Sequence, residues 1–349
     1  SLLDEQAVDA VLINDKVTKR YLQTMEGGGC HLFITKAESF LILDGRYLEE
    51  AKGKERDLTI ILWNPQDEGS SYLTWVRNYC AAHQIHSIGL ENSVSVAEYA
   101  FFEKFMDKTE ILSDAFEKLR MIKDSQDIVQ LKEAIHTGDE IYKQVLSELY
   151  VGMTDYEISA KLQYYSIKAG AARMSFDTII GVGESTAFPH GRPAGRVIEK
   201  NQMIMIDFGL RLNGFESDMT RMCAFGDPGE KMREIYQVVL EANQAGIAAM
   251  RAGNRACEAD AAARAVTEKY GYAEYFTHGL GHGIGMDNST ELPKVNSASQ
   301  MILQEGMVMS CEPGVYVPCV GGVRIEDNVW IHNGVGVQLD QSSKELTIL

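Results

Sequence analysis

Five residues able to hold divalent cations stand in order along the last part of the chain: Asp207 in IDFG, Asp218 in SDMTR, His282 in GHGIG, Glu312 in CEPG and Glu326 in RIED. Four carboxylates and one imidazole make an oxygen-rich donor set. Such a set suits two neighbouring cations such as manganese better than one structural zinc. Cations of that kind ready a water for attack and polarise a carbonyl, so the chemistry to expect is hydrolysis.

The neighbours of these acids are apolar where an exposed acid would have polar ones. MIMI runs straight into Asp207, VMSC precedes Glu312 and VRI precedes Glu326. An unpaired carboxylate inside a buried strand costs several kcal/mol, so each needs a compensating charge. MIMIDFGL and FESDMTRMCAF flank Asn213-Gly214, a strong hairpin signal. Register from that turn places Asp207 and Asp218 opposite or diagonally opposite on one face, where they repel unless a cation or proton lies between them. His282 sits in THGLGHGIGM, whose alternating glycines permit close backbone approach. Ile284 stands where G-x-G-x-x-G needs its last glycine, which excludes a dinucleotide loop. Singly, a wet-faced hairpin or a core histidine explains each feature as well; four such acids with a histidine favour a site.

The elements that must position these residues fall into two groups. Before residues 114 to 122, β-rich runs at 11–14, 31–35, 40–44, 58–63 and 87–91 alternate with helical stretches at 70–84 and 95–107, a small α/β domain. From Asp124 to Leu149, Ile128, Leu131, Ile135, Ile141, Val145 and Leu149 recur at helical spacing, with DSQD as the N-cap. A second helix fits 154–169, strands fit 176–182 and 202–209, helices fit 230–251 and 257–270, and strands follow to the end. Helix pair then sheet occurs twice, which suggests an internal duplication with ligands from both halves.

The chain has 349 residues, enough for about two domains, and its formal net charge of −17 would repel phosphate backbones and anionic lipid. Nucleic-acid and membrane partners are not expected. The start, SLLDEQAVDAVLIND, lacks a basic n-region and apolar core, and no segment is long enough to span a bilayer, so a cytoplasmic location is expected. Cys30, Cys80, Cys223, Cys257, Cys311 and Cys319 are scattered without a CxxC pair, so reduced thiols are expected and Cys311 is read as packing.

The motifs together resemble the pita-bread metallopeptidases, most of all their prolidase and aminopeptidase P branch, over essentially the whole chain. In the first part FLILDGRYLEEAK (40–52) and KLRMIKDSQDI (118–128) carry the likeness; later FDTIIGVGESTAFPHGRP, IDFG, SDMTR, HGLGHGIG, EPGVY and GGVRIEDN carry it. The resemblance implies a creatinase-type α/β domain over residues 1–116 and a pita-bread catalytic domain over 117–349 with a pseudo-twofold internal repeat, an α+β chain overall. It implies an exopeptidase that hydrolyses Xaa-Pro bonds in dipeptides or at peptide N-termini through a hydroxide bridging two divalent metal ions. Manganese comes first, and cobalt, zinc or iron also fit. In that family pattern Asp207 holds one ion, Asp218 and Glu326 bridge both, and His282 and Glu312 hold the second. Glu312 would also carry a proton to the leaving nitrogen. His190, in FPHG, would lie near that nitrogen, and Arg324 would orient a bridging carboxylate. A homodimer is implied too, the amino-terminal domain of one subunit partly closing the other's site.

One stretch departs from the pattern. Active relatives continue GHGIG to a second histidine, as in LEVHE, which donates to the substrate carbonyl; here the continuation is MDNSTELPK. Without a gap Ser289 takes that place; with a one-residue insertion Thr290 takes it and Glu291 matches the acid. Neither hydroxyl is a cationic donor, and losing one preorganised donor costs about 100- to 1,000-fold in rate. Lys294, after Pro293, falls where prolidases often place an arginine for a dipeptide's carboxylate, and supplies the charge without the bidentate fork. Ser289, Thr290 and Lys294 are therefore the candidate substrate-binding residues. Two other readings stay open: a divergent hydrolase or lyase acting on a non-prolyl small substrate, and a metal-retaining binding protein without catalysis.

Overall fold

The computed structural model describes residues 1–53, 58–64, 66 and 71–349, and the chain divides into two compact units, Ser1–Leu119 and Arg120–Leu349. Among the described residues of the first unit a six-stranded mixed sheet runs in the order Thr59–Trp63, Ser39–Asp44, Cys30–Thr35, Ala10–Ile13, Ser87–Leu90 and Lys108–Ile111. Ala10–Ile13 is buried throughout, as its run of apolar residues requires. The helix expected over 70–84 spans Tyr72–Ala82, capped by Ser71; residue 70 lies outside the described residues. The helix expected over 95–107 is Val96–Glu103, opened by a Ser95/Glu98 capping box.

The second unit opens on the helix Ser125–Ser147. The Asp124 carboxylate accepts from the Gln126 and Asp127 amides, and Ile128, Leu131, Ile135, Ile141 and Val145 are buried along one stripe. Asp155–Lys168 follows, capped by Thr154. Next come the strands Arg173–Met174, Ile179–Val182, Gln202–Phe208, Leu210–Leu212, Phe215–Glu216 and Met219–Phe225. Then the order repeats. Helices Glu230–Ala249 and Ala256–Lys269 precede Gly281–His282, Lys294–Val295, Val308–Cys311, Gly314–Val317, Gly321–Arg324, Asp327–His332 and Val335–Gln338. The last strand, Thr347–Ile348, returns to pair in parallel with Met219–Phe225.

The Asn213-Gly214 turn sets the register of the first acid pair. Both residues take positive φ, 50° and 88°, as a two-residue hairpin turn of the primed type requires. Leu212 faces Phe215, and the same register carries on until Asp207 faces Thr220. Asp218 is thus two residues from the partner of Asp207, a diagonal neighbour on one face. Between the two paired stretches a Cβ on Gly209 would lie 2.0 Å from the Ser217 carbonyl oxygen. Only glycine allows the strands that close where the acids face each other.

The six cysteines are free, and the buried Cys311 thiol lies 3.6 Å from the Asn243 carbonyl oxygen. Among the described residues, no helix is long and apolar enough to cross a membrane.

Candidate metal centre and active site

Strand ends and strand breaks of both halves aim the five candidate ligands into one cavity of about 660 Å³. Asp207 ends one strand, and Asp218 stands just before Met219–Phe225. His282 closes a two-residue strand, Glu312 follows Val308–Cys311, and Glu326 sits between Gly321–Arg324 and Asp327–His332. Ligand atoms of Asp218, His282 and Glu326 lie within 4.8 Å of one another. The His282 Nε2 atom is 3.5 Å from Asp218 Oδ2 and 3.4 Å from Glu312 Oε1.

The histidine is oriented by its own strand. Its Nδ1 lies 3.0 Å from the Gly283 carbonyl oxygen, which can only accept, so Nδ1 carries the proton. In the neutral ring Nε2 then keeps its lone pair on the side of the carboxylates, the tautomer a cation needs. The His282 amide donates to Ser310 Oγ at 3.0 Å, and that hydroxyl donates to Glu312 Oε1 at 3.0 Å. One serine therefore fixes both a nitrogen and an oxygen ligand.

Asp207, Asp218 and Glu326 are at most 5% exposed. Burial raises the pKa of all three; Asp207 and Glu312 push Asp218 further up, Asp218 and Glu312 do the same to Glu326, and Arg324 offsets part of the rise at Asp207. Asp207 Oδ1 and Glu326 Oε1 are buried without a hydrogen-bond partner. Orphaned anionic oxygens, mutual repulsion and an imidazole presenting its lone pair are what divalent cations would resolve, and the donor set fits them.

A pH dependence follows. In metal-free protein these acids bind protons more tightly folded than unfolded, so their stabilising protonation is complete below the ordinary carboxylate range and fades as pH rises through the raised values. Melting temperature in chelator is expected to fall more steeply, as pH rises above the ordinary carboxylate range, in wild type than in Glu326→Gln. Saturating divalent cation should remove the difference. Equal slopes without metal would contradict this account.

Arg324, 3% exposed, ties the acids to the cavity wall. Its Nη2 donates to Asp207 Oδ2, its Nε to Thr220 Oγ1 at 3.1 Å, and its Nη1 to the Pro189 carbonyl at 3.0 Å and the Tyr316 hydroxyl at 2.7 Å. Thr220 in turn donates to Glu326 Oε2 at 2.7 Å. The Pro189 contact holds the loop that brings the exposed His190 to the cavity. Thr220, Tyr316 and His278 were not singled out from the sequence. His278 Nδ1 faces the Gly279 carbonyl at 2.8 Å, so its Nε2 accepts from the Tyr316 hydroxyl at 2.8 Å. The repeated His-Gly of HGLGHG was the available signal for His278.

The segment after His282 splits its candidates. Ser289 lines the cavity mouth, its hydroxyl donating to Asp287. Thr290 does not line the cavity. Its amide and its hydroxyl turn back to the Asp287 carbonyl at 3.1 and 3.4 Å, and its side chain is exposed. Glu291 is fully buried, paired with Arg120 at 3.1 Å and Lys123 at 3.4 Å. Lys294 lies directly across from His282 in the ladder, so both side chains leave the same face, and both line the cavity. Its ammonium donates to the Ser289 carbonyl at 3.1 Å, and burial lowers its pKa.

Comparison with known proteins places this geometry. Residues 129–333 match Metallopeptidase family M24, and residues 1–122 match the Creatinase/Prolidase N-terminal domain. The Xaa-Pro dipeptidase of Pyrococcus furiosus is 33% identical over 350 residues, 99% of this chain and 97% of that protein. The solved Xaa-Pro dipeptidase from Bacillus anthracis superposes with a TM-score of 0.93 at 34% identity, covering 99% of this chain and 97% of that one. The X-Pro aminopeptidase from Thermotoga maritima gives 0.88 at 29% identity, covering 98% of each chain.

Proposed function

This chain belongs to metallopeptidase family M24, in its prolidase branch, and from that premise we propose that it is an exopeptidase cleaving Xaa-Pro bonds, preferentially in dipeptides. The observation that carries the dipeptide preference is Lys294, which shares a strand face and the cavity with His282. A dipeptide puts its free carboxylate one residue beyond the scissile bond, within reach of such a cation; a longer peptide has no charge there.

Asp207, Asp218, His282, Glu312 and Glu326 would hold two divalent ions, manganese first, with cobalt, zinc or iron compatible. When bound, such ions supply a water of lowered pKa and polarise the scissile carbonyl. The protein's own groups do the rest. The nitrogen of an Xaa-Pro bond carries no hydrogen and must receive a proton to leave. Glu312, at 18% side-chain exposure the most open of the four acids, is placed to deliver it, with His190 beside the departing nitrogen. Arg324 keeps the Asp207 carboxylate in one orientation and lends it positive charge.

Lys294→Met is expected to raise KM for Xaa-Pro dipeptides about 10-fold or more, the worth of a hydrogen bond to a charged group. The matching Xaa-Pro amides should be unaffected. Equal effects on acid and amide would remove Lys294 from carboxylate recognition and the dipeptide preference with it.

We also propose a homodimer, tested by sedimentation, and a catalytic domain over residues 117–349. A second reading, hydrolysis of a non-prolyl amide, is favoured by Asn288 and Ser289 standing on the cavity wall in the departing segment. Turnover of small amides beside a prolyl panel separates the two.

A further inference from the structure

Asn288 is 6% exposed, stands on the cavity wall and belongs to the segment that departs from the family pattern. Its backbone amide donates to Glu216 Oε2 at 3.0 Å. Its side-chain Nδ2 donates to the Ser217 carbonyl at 3.2 Å and reaches Asp218 Oδ2 at 3.5 Å. Its Oδ1 accepts from the Gly285 amide at 3.4 Å. One carboxamide therefore bridges the hairpin that carries Asp218 and the segment that leaves His282.

The footing of that bridge is fixed. Glu216 is 1% exposed and ion-paired with Arg173 at 3.0 Å and Arg211 at 2.6 Å. The chemistry around residue 288 also selects an amide. Ser217 O and Asp218 Oδ2 both ask for donors, Gly285 N asks for an acceptor, and a neutral side chain with two donors and an acceptor answers them. An acid would face further acceptors, and a hydrocarbon would leave a buried carbonyl without this partner.

We propose that Asn288 is a positioning residue for the metal centre: through the Ser217 carbonyl and the Asp218 carboxylate it holds that ligand in its cation-binding orientation. This rests on Asp218 being a ligand, as the proposed function has it. Asn328 secures the same residue from its main chain, its Nδ2 donating to the Asp218 carbonyl at 2.6 Å. Loss of Asn288 therefore frees the carboxylate while the strand stays in place.

The test is calorimetric titration of chelator-stripped wild type, Asn288→Ala and the near-isosteric Asn288→Leu with Mn2+, beside metal-free melting curves and peptidase assays over a range of Mn2+. Both variants are expected to bind Mn2+ about 10- to 100-fold more weakly, the effect of removing a group that orients a ligand. Their metal-free melting temperatures should fall only modestly, since Ser175 Oγ still donates to the Ser217 carbonyl at 3.0 Å, and raised Mn2+ should restore turnover. A variant that melts far below wild type yet binds Mn2+ as tightly makes Asn288 a structural residue and overturns the proposal. So do variants indistinguishable from wild type. A wild type that takes up no Mn2+ sinks the metal-centre reading itself, and this inference falls with it.

Discussion

Glu326→Gln is expected to remove peptidase turnover while making the metal-free protein more stable. The two effects have one cause. Glu326 is 1% exposed, its Oε1 has no hydrogen-bond partner, and its pKa is pushed well up by burial and by Asp218 and Glu312. Glutamine has the same shape and can still accept from Thr220, so the packing is kept and a repelling charge is deleted. Relief of an uncompensated buried charge is worth on the order of 1 kcal/mol or more. Turnover responds the other way, because a neutral amide is a poor substitute for an anionic ligand. Losing several kcal/mol of transition-state stabilisation is about 1,000-fold or more in rate. The measurements are kcat/KM on a prolyl dipeptide at saturating Mn2+ and the melting temperature in chelator. Activity within tenfold of wild type, or a lower metal-free melting temperature, would show that the carboxylates are not gathered to hold cations.

The trade between those signs explains what the sequence could reveal. A buried acid is costly, so an acid straight after an apolar strand stands out, and Asp207, Glu312 and Glu326 could be singled out from their neighbours alone, while Asp218 came from the hairpin register. Asn213-Gly214 fixed the register for the same local reason: two consecutive positive φ values suit few residue pairs. The strand Lys108–Ile111 was not expected. KTEI carries little apolar signal, and an edge strand needs little, since it pairs on one side only.

Other contacts were illegible because they join residues far apart along the chain. Thr220 looks like any strand threonine, yet its hydroxyl lies between Arg324 and Glu326, more than a hundred residues on. Tyr316 joins His278, 38 residues before it, to Arg324 through side chains with no shared local motif. An insertion is equally hard to place from one sequence. Ser289 was the candidate without a gap and Thr290 the candidate with a one-residue insertion, and in the fold the buried pairing of Glu291 with Arg120 and Lys123 holds the end of the loop. With that end held, Thr290 turns outward and Ser289 meets the cavity.

Ser289→His is therefore expected to raise kcat/KM on Xaa-Pro dipeptides about 10- to 100-fold, and Thr290→His to leave it nearly unchanged. A donor poised at the carbonyl oxygen is worth about 100- to 1,000-fold when the surrounding shell is tuned to it. A loop not shaped for it recovers a part. Asp287 improves the prospect, because its Oδ1, which now accepts from the Ser289 amide at 3.0 Å and from its hydroxyl, would face the new imidazole and favour its charged form. The gain should lie in kcat and hardly in KM, since the hydrogen bond strengthens as negative charge develops on the carbonyl. Breaking the Ser289 hydroxyl contact costs about 1 kcal/mol at most at this exposed position. A gain from Thr290→His instead would mean that the loop turns over when substrate binds. If neither variant gains while Mn2+ is bound, the cavity is built for a carbonyl that needs no such donor, and the non-prolyl substrate becomes the better reading.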